Sequence, residues 1–174
     1  YSKISYRLKL AKYVPSFTST TFNKAGLVFF PFIRNVLTYK VTIPGYLDDL
    51  DGLKSVLIEF SNLKFIAHGP LFWKYVREDA KYNNIPTEDN PAIKLLNEHK
   101  NLYADTSAES GYNALTENAN YTTKLLTKFQ NKILYGTDNF LLGMKEFLNQ
   151  LPLDQQIKRK IFFCNANSFF DEKQ

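Results

Sequence analysis

The chain is poor in the residues that most often advertise a function. It has a single cysteine, Cys164, which excludes an internal disulfide. It has only two histidines, His68 and His99, so any imidazole-based metal or acid–base site is confined to those positions. Arginine is scarce, 4 residues against 18 lysines, and the lysines are scattered rather than gathered in one stretch. A net charge of +5 spread in this way makes a solvated surface and not a basic patch, which argues against a nucleic-acid partner. No apolar run approaches the roughly 18 residues of a membrane span. The opening YSKISYRLKLAKY lacks the continuous apolar core of a secretory signal. The expectation is a cytoplasmic protein that acts on a small molecule, away from membrane and nucleic acid. The first residue is Tyr1 and not methionine, which reads as a fragment or a processed form.

What is present is a chain of 174 residues with 15 Phe and 11 Tyr, enough for one domain with a real core. Residues 1–25 settle on no single period. The run LVFFPFI (27–33) follows Gly26 and reads as a buried parallel strand, interrupted by Pro31. Residues 34–50 mix Thr, Pro, Gly and Asp and read as a long loop around Pro44-Gly45. From Asp51 a helix is expected, because Leu53, Val56, Leu57 and Phe60 make one apolar stripe at helical spacing. Similar stripes are Tyr121, Leu125, Leu126, Phe129 and then Met144, Phe147, Leu148, Leu151, the last ended by Pro152. Pro91 is placed as the first residue of a helix carrying Ile93, Leu95 and Leu96. Residues 153–170 read as a final helix. Strands and helices alternate at intervals that argue for a parallel α/β architecture.

Three short apolar runs end on polar residues. LKFIAHGP (63–70) ends on His68, NLYADTS (101–107) on Asp105, Thr106 and Ser107, and KILYGTDN (132–139) on Asp138. If the strands are parallel, these residues share one rim of the sheet, the rim where α/β proteins keep their chemistry. His and Asp there serve as ligands for a zinc-like cation or as general acids and bases. Asp at such a position also caps helices or closes turns, and His also fills α/β cores. The residues alone leave these uses open.

The segments LKFIAHGPLFW (63–73), NLYADTSAESGYNAL (101–115), KILYGTDN (132–139) and KIFFCNANSFF (160–170) resemble the carboxyl-terminal half of the amidohydrolase-related, metal-dependent hydrolases. The likeness covers residues 50–170 of a single unit spanning 1–174. It implies a TIM-barrel-like (β/α)8 fold, with about the last four β/α units present. It also implies hydrolysis or decarboxylation of a small carboxylate, amide or lactone. Asp138 takes the part of a metal ligand and proton acceptor, and His68 that of a metal ligand or catalytic residue. Trp73 takes a place at the substrate pocket, and Asp105 supports the loop after its strand. A divalent metal, zinc by preference, belongs to the complete enzyme.

The departures from that family are as informative. Its first strand carries a His-x-His pair, and this sequence has none. Where a fifth-strand His is expected, Phe32 stands. His99, in the NEHKN turn, is expected to be exposed. His68 and Asp138 supply two ligands where zinc takes three or four, so no stoichiometric metal is expected in this chain alone. A whole barrel needs about 200 residues or more. The chain is then either part of a longer enzyme or a non-enzymatic half-barrel used for interaction. An open half-barrel exposes strand edges, which predicts self-association or pairing with a missing amino-terminal half. An unrelated α/β binding protein is the remaining reading.

Overall fold

The computed structural model describes residues 26–30, 39–42, 50–137 and 143–170. Its strands are β1 (Gly26–Phe30), β2 (Tyr39–Thr42), β3 (Lys64–Ala67), β4 (Leu102–Asp105) and β5 (Ile133–Leu134). They form one open sheet in the order β2-β1-β3-β4-β5. β3, β4 and β5 are parallel, with Phe65 opposite Leu102 and Ala104 opposite Ile133. The helices are α1 (Asp51–Glu59), α2 (Pro70–Tyr82), α3 (Pro91–Glu98), α4 (Ala108–Thr116), α5 (Ala119–Lys128), α6 (Met144–Gln150), α7 (Gln155–Arg159) and α8 (Asn165–Phe170). A π-helical turn, Lys160–Cys164, joins the last two. The fold is therefore α/β, as its alternating pattern requires, but among the described residues the sheet does not close on itself.

The amino-terminal strands depart from expectation. β1 runs antiparallel to both β2 and β3, not parallel. β1 stops at Phe30, directly before Pro31, which has no N–H to give to a ladder. β2 falls inside the stretch expected to be a long loop. It is four residues long, and its hydrogen bonds come from β1 rather than from anything local.

Period-2 alternation divides the parallel strands between two faces. Phe65, Ala67, Leu102, Ala104 and Ile133 point into the main core, where they meet Trp73 and Val76 of α2, Ile93 and Leu96 of α3, and Tyr121 and Leu125 of α5. The α1 and α6 stripes join this core through Leu53, Leu57, Met144 and Leu148. Ile66 and Leu134 point the other way and pack with Tyr103, Ala166 and Phe169. α8 lies over this second face, with the Tyr103 and Phe169 rings edge to face at 4.9 Å. The Lys64 ammonium ties it down by donating to the Ser168 and Phe169 carbonyls.

One buried acid organises the loop between α2 and α3. Asp79 accepts from the Tyr121 hydroxyl at 2.7 Å, from the Thr87 amide and hydroxyl, and from the Asn83 amide group. Burial, then the neighbouring carboxylate, push the Tyr121 phenol far above its usual pKa, so it stays a donor. Among the described residues no helix is long and apolar enough to cross a membrane.

Candidate functional site

The carboxyl ends of β3 and β4 bring their polar residues into contact. His68 follows β3 and shares parity with Ile66, while Asp105 closes β4 in step with Tyr103. Both therefore lie toward the second face. His68 Nδ1 is 3.0 and 3.1 Å from the two Asp105 carboxylate oxygens and 2.9 Å from Ser107 Oγ. The His68 side chain is 9% exposed and that of Asp105 20%, so the pair is shielded but reachable. In the hydrolytic Ser-His-Asp arrangement the serine and the acid use opposite ring nitrogens. Here both meet Nδ1, which excludes a proton relay from Ser107 through His68 to Asp105.

The backbone around this contact is held in an uncommon shape. Gly69, directly after His68, has φ +99, which glycine adopts without strain, and Pro70 then opens α2. Ser107 occupies the N-cap position of α4, yet its hydroxyl makes no cap bond there. Forgoing a cap costs about 1 kcal/mol. Ala108 has φ +63, a left-handed conformation that costs a β-carbon residue about 1 kcal/mol or more. The loop is fixed from the other side by the turn after β5. Thr106 Oγ1 donates to the Gly136 carbonyl and accepts from its amide, and the Ala108 amide donates to the Thr137 carbonyl at 3.2 Å. A β-carbon on Gly111 would lie 2.6 Å from the Thr106 carbonyl oxygen, so only glycine lets α4 approach this closely.

The expected site residues fall out as follows. His68 is at the rim with a carboxylate and a hydroxyl on Nδ1. Asp105, expected to support a loop, is the direct partner of that imidazole. Asp138 lies outside the described residues, directly after Thr137, and Phe32 lies outside them as well. Trp73 sits in the core at 1% exposure, with its indole N–H lacking a partner among the described residues. His99 is half-buried at the end of α3 rather than exposed, and burial is the main cause that lowers its pKa from 6.5. Among the described residues no three His, Cys, Asp or Glu side chains gather as a metal site requires. His68 and Asp105 face each other, an orienting contact, so they do not by themselves fit a zinc ion.

In the sequence, Ser107 stands out only as one of several hydroxyls closing a strand. Its contact with His68 is hidden there because serine before a helix is the ordinary sign of a cap. No family model matches the chain, and no curated protein and no solved structure matches it.

Proposed function

We propose that the chain is the carboxyl-terminal part of an amidohydrolase-related barrel enzyme that hydrolyses or decarboxylates a small carboxylate, amide or lactone. The observation that supports it is the shared rim. His68 and Asp105 meet at the carboxyl ends of adjacent parallel strands, and the loop after β4 is stitched to the turn that leads into Asp138. In this reading His68 takes a proton from an attacking water or returns one to the leaving group, while Asp105 orients its ring. Asp138 is the second acid of the site. The zinc-like cation of the family would need ligands beyond the described residues, so the work assigned to them is proton handling and orientation.

A second reading, a non-enzymatic half-barrel module, draws on the antiparallel β1 and on the covered edge of β5. The Tyr135 amide donates to the Ile161 carbonyl and the Asn165 side chain to the Ile133 carbonyl, which occupies the backbone positions a further strand would use.

Mapping the 5′ end of the transcript separates the two. The enzyme reading predicts coding sequence ahead of Tyr1 that contains a His-x-His strand. A start codon within a few codons of Tyr1 would overturn it. In the longer product, His68→Ala should lower turnover across a panel of small esters, amides and lactones by about 10²–10⁴-fold.

A further inference from the structure

Three oxygens from two side chains surround one nitrogen at the rim. The two Asp105 oxygens and Ser107 Oγ all lie within 2.9–3.1 Å of His68 Nδ1. A ring nitrogen has a single in-plane position, so at that position it either donates or accepts. A carboxylate only accepts, whereas a hydroxyl does either. Pairing with Asp105 therefore puts the proton on Nδ1 and leaves the lone pair on Nε2. Pairing with a donating Ser107 reverses this and makes Nε2 the N–H. The first tautomer offers a base or a ligand at Nε2, and the second offers a hydrogen-bond donor.

The local backbone keeps both partners in place at a cost. Asn90, Asn118 and Asp154 each cap the helix that follows them with a side-chain oxygen. Ser107 stands at the same kind of position and leaves its helix uncapped, its hydroxyl on His68 instead. The positive φ of Ala108 and the close approach at Gly111 hold that loop against the imidazole.

We propose that Asp105 and Ser107 are positioning residues that select the tautomer of His68. Asp105 holds the proton on Nδ1 and so presents the lone pair at Nε2. Ser107 is the competing donor, which takes Nδ1 when the carboxylate is removed or drawn to another partner. The use made of Nε2 rests on the hydrolase reading. The tautomer itself does not.

Having only two histidines makes the test direct. The chain is labelled with ring-¹⁵N histidine, and two-bond ¹H–¹⁵N spectra are recorded well above the usual imidazole pKa of about 6.5. His99→Gln assigns the two rings, and the His99 signals then report folding in every other variant. The wild-type chain should show His68 protonated on Nδ1. Asp105→Asn should keep that tautomer, because its amide oxygen still accepts. Asp105→Ala should move the proton to Nε2, and adding Ser107→Ala should lower the Nε2–H share. A wild-type ring protonated on Nε2 overturns the proposal, as does an unchanged His68 ring in folded Asp105→Ala. If Asp105→Ala does not fold, the wild-type spectrum and the isosteric Asn variant still decide. A start codon close ahead of Tyr1 defeats the hydrolase reading and leaves the selector standing, while an Nε2–H ring does the reverse.

Discussion

The two rims of the parallel sheet use polar side chains in opposite ways. At the amino ends of the strands, side chains serve the backbone. The Asn101 amide donates to the carbonyls of Leu57, Phe60 and Leu63, gathering the end of α1 and the start of β3. Lys132 donates to the carbonyls of Leu96 and His99, and Asn165 to those of Gln130 and Ile133. At the carboxyl ends, Thr106 still serves the backbone of Gly136, but its neighbours serve one another. His68, Asp105 and Ser107 meet there, while Gly69 and Ser107 leave α2 and α4 without side-chain caps. One rim satisfies carbonyls and lowers the energy of the fold. The other holds reactive groups together and accepts strain in doing so.

The contrast can be broken by mutation. The largest effect should come from the stabilising rim. Asn101→Ala takes the amide donor from the Leu57 and Leu63 carbonyls, while Phe60 keeps the Leu63 amide, and should cost about 2 kcal/mol in urea denaturation. The His68 ring spectrum should not change, and a change there would mean that the rims are coupled. A smaller effect of opposite sign is expected at the other rim. Ala108→Gly removes the β-carbon from a left-handed residue and should raise stability by about 1 kcal/mol. A loss of stability would show that the strain is not where the φ angle puts it.

The smallest effect is a pH slope. Burial lowers the folded pKa of His99 below 6.5, so the unfolded chain binds the proton more readily. The stability that His99 contributes is complete above about 6.5 and is lost as pH falls through the folded value. His99→Gln should flatten that part of a pH series of urea denaturations. A profile that keeps its slope would assign it to another group.

Much of the layout is legible in the residues themselves. The stripes of α1, α5 and α6 and the short runs of β3, β4 and β5 carry their periods in the sequence, and packing honours them. Pairing direction is different. Five apolar residues look the same whether their neighbour runs with them or against them, so the antiparallel course of β1 cannot be read from Gly26–Phe30. Side-chain alternation places His68 and Asp105 on one rim. It does not say that they touch, because contact depends on the Gly69 turn and on how closely α4 packs at Gly111. The place of Trp73 after His68 suggests a pocket, yet the stripe it shares with Val76 and Ala80 faces the core. Lys132, first residue of the stretch that ends in Asp138, turns its half-buried ammonium to the opposite rim, where burial lowers its pKa.

The cover over β5 also sets an order of events. The ribosome releases Ile133–Leu134 well before the π-helical turn whose Ile161 carbonyl meets the Tyr135 amide, and before Asn165. For that interval of synthesis the strand's outer edge lacks the bonds to Ile161 and Asn165, and an extended segment nearby can add to it. This edge is therefore open to strand exchange, productive or not, in the time needed to make about thirty residues, one to several seconds at ordinary elongation rates of roughly 5–20 residues per second.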